Sequence, residues 1–107
     1  MKVKFSSEEL ESFYTTPLES LKGKLPFSKD IIRQYKKKVQ LLVSVDAVND
    51  LKQFRSLNFE ALKGDRKGKY SIRLNIQYRL IFSIEKEKNG DYAIEIILLT
   101  EISKHYE

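Results

Sequence analysis

Few side chains in this 107-residue chain can do chemistry. There is no cysteine, so no thiolate nucleophile, and a single histidine rules out a histidine-cluster metal site. The chain has no phosphate-cradling glycine loop, no dinucleotide-binding glycine fingerprint, and no serine set among glycines for a Ser-His-acid constellation. What remains is a set of Lys, Arg, His and Tyr side chains. Such a set suffices to cleave RNA without a metal or a cofactor. The 2′-hydroxyl attacks its own phosphate, a base takes its proton, an acid protonates the 5′-leaving oxygen, and cations stabilise the crowded phosphorane. Positioned acid–base groups typically contribute about 10²- to 10⁴-fold, and preorganised charge often contributes more.

Arg73 and Arg79 are the candidate phosphate clamps. A guanidinium is planar, offers paired donors and stays charged at any working pH. Pairing with sheet carboxylates such as Glu85 or Glu95 is the plain alternative. His105 is the one side chain whose ordinary pKa, about 6.5, lies near neutrality. It is equally readable as a surface histidine near a chain end. Tyr106 could stack on a base or donate a proton, or simply pack. Lys63, Arg66, Lys67 and Lys69 form a cationic loop suited to backbone phosphates, contacts that supply affinity without reading sequence.

The charge distribution supports an anionic partner. Net charge is +5, but it is concentrated in two stretches. Residues 22–38 carry Lys22, Lys24, Lys29, Arg33, Lys36, Lys37 and Lys38 against Asp30, and residues 63–79 carry Lys63, Arg66, Lys67, Lys69, Arg73 and Arg79 against Asp65. The rest of the chain is acidic. Clustered cations on an otherwise acidic chain suit RNA or an acidic protein segment, although a lysine-rich helix is also an ordinary solvated helix.

The elements that must position these groups follow from patterning. The apolar and charged fractions, 41% and 33%, are those of a globular protein, and the length suits one domain over residues 1–107. No apolar run approaches a membrane span, and the first residues lack a signal-peptide core, so a cytoplasmic location is expected. Residues 2–5 alternate as a short edge strand. Ser6-Ser7-Glu8-Glu9 has the Ser-x-x-Glu spacing of a capping box, opening a helix that Pro17 ends. Ser28 is the next N-cap, and Ile31, Tyr35, Val39 and Leu42 give helical spacing to about Ser44. Asp46 is expected to cap a further helical piece through Phe54. Residues 70–74 and 78–84 alternate around a turn at Asn75-Ile76-Gln77, which puts Arg73 and Arg79 opposite the main apolar row. Asn89-Gly90 predicts a two-residue turn with positive φ at both positions. Apolar residues on both rows of residues 92–99 predict an interior strand covered on both faces. The fold class is α+β, a mainly antiparallel twisted sheet with N-terminal helices packed on one face.

The run L-x-G-x-R-x-G-x-Y-S-I-R-L-N-x-Q-Y-R-L-I-F, from Leu62 to Phe82, resembles the signature of the RelE/ParE superfamily of bacterial toxins, most nearly its HigB-like branch. The tail Glu101-Ile102-Ser103-Lys104-His105-Tyr106 is similar to one subgroup of that branch. The resemblance implies a RelE-like fold and the toxin of a type II toxin–antitoxin pair. It implies a ribosome-dependent messenger-RNA endoribonuclease, neutralised by a cognate antitoxin of HigA-like, helix-turn-helix type. It places proton handling at His105 and Tyr106, although their order departs from the Asp-Tyr-His ending of better-known members. Asn75 stands where relatives often have a basic residue, and Glu60 stands about where some carry a histidine. Arg33 and Lys36 to Lys38 would dock on ribosomal RNA. The rival expectations are a ParE-like inhibitor of DNA gyrase and a non-catalytic binding module.

Overall fold

The computed structural model of the chain describes residues 1–104. Five strands, β1 (Lys2–Phe5), β2 (Glu60–Ala61), β3 (Lys69–Arg73), β4 (Tyr78–Asn89) and β5 (Tyr92–Lys104), form one sheet in the order β1-β5-β4-β3-β2. β1 runs parallel to β5, and the other neighbouring pairs are antiparallel. Helices α1 (Glu8–Thr15) and α2 (Lys29–Ser44) pack on one face, giving the α+β arrangement that the order of elements implies.

Local chemistry sets the helix starts. The Ser28 hydroxyl accepts the Ile31 N–H at 3.2 Å, which satisfies one of the donors a helix leaves open at its first turn. At α1 the cap is Ser7, which accepts from the Leu10 N–H at 3.2 Å. The expected box through Ser6 and Glu9 therefore does not form, and Ser6 instead donates to the Thr100 carbonyl at 3.2 Å, tying the helix entry to β5. The expected helix from Asp46 to Phe54 is also revised. The segment forms 3₁₀ turns at Val48–Gln53 and Arg55–Leu57, entered at Ala47, whose N–H donates to the Asp50 carboxylate at 3.1 Å. Asn and Asp compete with the helical backbone for hydrogen bonds, which favours such short turns.

The core lies between the helices and one row each of β1, β3, β4 and β5. Ile31, Ile32, Tyr35, Val39 and Leu42 on α2 meet Ile72, Leu74, Leu80, Phe82, Ile97, Leu99 and Ile102. Each fully buried side chain here, such as Ile32, Leu42 or Leu80, contributes roughly 1.5–3 kcal/mol. The Tyr35 hydroxyl crosses the interior to donate to the Leu10 carbonyl at 2.7 Å, joining α2 to α1. Burial pushes its phenol above the ordinary range, and the neighbouring Tyr14 adds to the shift.

Two irregularities decide which residues face which side. In the β3–β4 connection the Asn75 carboxamide oxygen accepts the N–H groups of Gln77 and Tyr78 at 2.8 and 2.7 Å, so the residue forms a turn of the Asx kind. In β5 the register shifts opposite Ile81 and Phe82, which pair with Glu101 and Leu99. Thr100 is the extra residue of this bulge, and its hydroxyl donates to the Ile81 carbonyl at 3.0 Å. Strict alternation would turn Ile102 outward; the bulge returns it to the core and sends Glu101 to the other face. The β4–β5 turn is one residue later than expected. Asn89 pairs with Tyr92, so Gly90 and Asp91 are the turn residues, and of these only Gly90, at φ 67°, is left-handed. β3 ends opposite Ser83, and β1 starts beside Ile96, the partner of Glu85, so residues 86–95 project as a two-stranded ribbon.

Candidate active site on the open face of the sheet

The face away from the helices carries two rows of interest. One runs Glu60, Ser71, Ile81, Glu101 across β2, β3, β4 and β5. The next contains Arg73, Arg79 and Ser103. Between them and the 3₁₀ turn Gly64–Arg66 opens a cleft of about 340 Å³, lined by Glu60, Leu62, Arg66, Arg79, Ile81, Ser103 and Lys104.

Arg79 forms the floor of this cleft. The sequence places it on the open face, as found, but not projecting freely, because only 10% of its side chain is exposed. Its guanidinium lies 3.4 Å from both the Asn58 carbonyl and the Ser71 hydroxyl and 3.8 Å from the Glu60 carboxylate. Asn58 adopts the left-handed conformation, φ 47°, which short polar residues tolerate, and so aims its carbonyl at the arginine. Among the described residues the carboxylate beside Arg79 is thus Glu60, not Glu85 or Glu95. At the other end of the row Arg66 reaches from the loop to Glu101, 3.4 Å away. Ile81, between them on the open face, is 1% exposed, so the floor of the cleft is partly apolar.

The remaining expected residues divide. Arg73 pairs across the hairpin with Arg79 and is half-buried, outside the residues that line the cleft. Lys63 and Lys67 are exposed on the loop, and Lys69 is half-buried at the start of β3, where its carbonyl accepts the Leu62 N–H at 2.9 Å. His105 and Tyr106 fall outside the described residues. Arg33 and Lys37 are exposed on α2, with Arg33 paired to Asp30 at 3.0 Å, while Lys38 is half-buried. At 100° per residue Arg33 and Lys37 lie opposite the buried Tyr35 and Val39, and so face away from the sheet. Lys36 departs from the expected docking set. Its ammonium donates to the Tyr14 carbonyl at 3.0 Å and to the Thr16 carbonyl, which caps the end of α1. Burial lowers its pKa, partly offset by the charge of Glu19. Sequence reasoning left Glu101, Ser103 and Lys104 without roles here, because the Thr100 bulge that turns Glu101 to the open face has no pattern signal.

A family model described as the RelE-like toxin of the type II toxin–antitoxin system HigB matches residues 3–95. The chain belongs to this family. Toxin HigB-1 from Vibrio cholerae is 37% identical over 82 residues, covering 77% of this chain and 82% of that protein. In fold the HigB-like chain is similar to the YoeB–YefM complex from Staphylococcus aureus, at TM-score 0.56 and 22% identity, covering 99% of this chain and 98% of that one. A YoeB/ParE toxin from Agrobacterium tumefaciens matches at TM-score 0.51 and 16% identity, covering 99% of this chain and 100% of that one. The five-stranded sheet with helices on one face is thus the fold of RelE/ParE-type toxins. Among the described residues no helix of this HigB-like toxin is long and apolar enough to cross a membrane.

Proposed function

We propose that this HigB-like toxin is a ribosome-dependent messenger-RNA endoribonuclease that cuts by 2′-hydroxyl attack without a metal. The observation that carries the reading is the open-face cleft, in which the largely buried Arg79 lies beside Glu60, with Arg66 and Lys104 also lining it. A phosphodiester in the cleft would meet a guanidinium that has already given up most of its water, and preorganised charge of that kind stabilises a phosphorane without reorganisation. Arg73, adjacent on the same face, adds positive potential. On this reading Glu60 accepts a proton beside the phosphate, and His105 and Tyr106 supply the remaining proton transfer. Lys63, Lys67 and Lys69 hold the RNA backbone, and Arg33, Lys37 and Lys38 dock the toxin on ribosomal RNA. A cognate antitoxin of HigA-like, helix-turn-helix type neutralises it, a pairing for which the YoeB–YefM complex is the structural parallel.

The test is purified toxin added to a translating extract, followed by mapping of message 5′-ends. Codon-phased cuts that vanish in Arg79→Ala and weaken in His105→Ala support the nuclease. Intact message with inhibited DNA supercoiling assigns the chain to gyrase instead, and neither effect leaves a binding module.

A further inference from the structure

A second anion stands on the open face beside the cleft that Glu60 lines. Glu101 is brought to the open face by the Thr100 bulge, and its carboxylate lies 3.4 Å from the Arg66 guanidinium across the buried Ile81. Arg66 belongs to the 3₁₀ turn Gly64–Arg66 in a loop flanked by left-handed Gly64 and Gly68, at φ 65° and 94°. Among the described residues the backbone of that loop is tied to the sheet at its base, where the Leu62 N–H donates to the Lys69 carbonyl at 2.9 Å. We propose that Glu101 stands in for an RNA phosphate: in the free toxin it holds Arg66 over the cleft, and on binding it yields Arg66 to the incoming phosphodiester. This rests on the reading of the cleft as an RNA site.

Three features favour exchange over a fixed structural pair. The side chains of Arg66 and Glu101 are 48% and 44% exposed, so the pair is screened by water and costs little to open. The contact is a single N–O approach, not the paired geometry that makes arginine–carboxylate contacts strong. Glu101 also lines up in the same cross-strand row as Glu60, so the two carboxylates stand at either end of the site that a polyanion must enter. A phosphate that reaches Arg66 must displace Glu101 and lie near its charge. The carboxylate therefore weakens binding of unspecific single-stranded RNA while keeping the loop in place, so stable occupancy requires additional contacts, as on a ribosome.

The experiment measures binding of a 2′-O-methyl single-stranded RNA oligonucleotide, which cannot be cut, by fluorescence anisotropy across a salt series. Parent, Glu101→Gln, Arg66→Gln and the double variant are compared, with circular dichroism to check folding. The expected result is about threefold to tenfold tighter binding for Glu101→Gln, since an exposed competing pair of this kind is weak. Its plot of log affinity against log salt should also steepen by about 0.7, because Arg66 then releases a counterion where it previously released Glu101. In the Arg66→Gln background most of the gain should disappear. Binding by Glu101→Gln that is no tighter than the parent, or a gain of equal size without Arg66, overturns the proposal while leaving the RNA reading intact. No binding by any of the four also overturns the proposal, whereas the RNA reading falls only if message stays intact in the translating extract.

Discussion

Replacing Arg79 by alanine separates chemistry from structure at this site. The side chain is 10% exposed, and its guanidinium faces the Asn58 carbonyl, the buried Ser71 hydroxyl and Glu60. Charged hydrogen bonds contribute roughly 1.5–3 kcal/mol when short and well aligned. Among the described residues the approaches to Asn58 and Ser71 are each 3.4 Å, and Glu60 is 53% exposed and can turn to water. The expected stability cost is therefore about 1–2 kcal/mol, a fall in Tm of about 5–15 °C for a domain of this size. Starting even from the low end of ordinary stability, about 5 kcal/mol, more than ~99% of the variant stays folded at 25 °C. Loss of a preorganised cation at a developing phosphorane should cost about 10²- to 10³-fold in message cleavage. A loss that large cannot arise from an unfolded fraction below ~1%. Cleavage is read by primer extension on a single message at 25 °C, and stability by thermal melting of the same samples. Arg79→Lys, which keeps the charge but loses the planar fork, should recover only part of the rate. If Arg79→Ala cuts within about threefold of the parent, less than 1 kcal/mol of barrier depends on the residue and the clamp assignment is wrong.

Other outcomes follow from contacts already described. Ser28→Ala removes the acceptor for the Ile31 N–H and should cost about 1 kcal/mol, read as a lower melting temperature with cleavage unchanged at 25 °C. Tyr35→Phe removes the buried hydroxyl that donates to the Leu10 carbonyl and should cost about 1–2 kcal/mol in urea denaturation. The same variant should flatten the alkaline limb of stability. The folded phenol holds its proton above the ordinary value of about 10, so that stabilisation is complete below pH ~10 and falls away above it. Lys36→Ala should lower the melting temperature by removing the donor that caps α1, whereas Lys37→Ala should leave melting unchanged and weaken ribosome association modestly and salt-dependently.

Much of the framework is readable from residue types. Ser28 and the spacing of Ile31, Tyr35, Val39 and Leu42 define α2, and the alternation of Tyr70, Ile72 and Leu74 defines β3, because these signals are local and strong. Features that depend on contacts distant in sequence are not readable. Alternation puts Arg79 on the open face but does not show that Asn58, Ser71 and Glu60 enclose it. Nothing in the lysine run distinguishes Lys36, whose ammonium meets the end of α1, from its neighbour Lys37. The bulge at Thr100 inserts a single residue, and a pattern of period two has no means to register it until the partner strand is known. Asn75, read as a departure from the family pattern, has a local explanation, since its carboxamide closes the turn that brings β4 back along β3.

The exposed side of α2 and the cleft point in opposite directions, with the helices and the sheet stacked between them. A short strand lying in the cleft could not also touch Lys37, so the proposed function requires two separate docking faces. On the proposed reading the toxin sits as a slab between two polynucleotide walls, one fixed and one threading past. Saturating one wall's site with a short oligonucleotide should then leave the grip on the other undiminished.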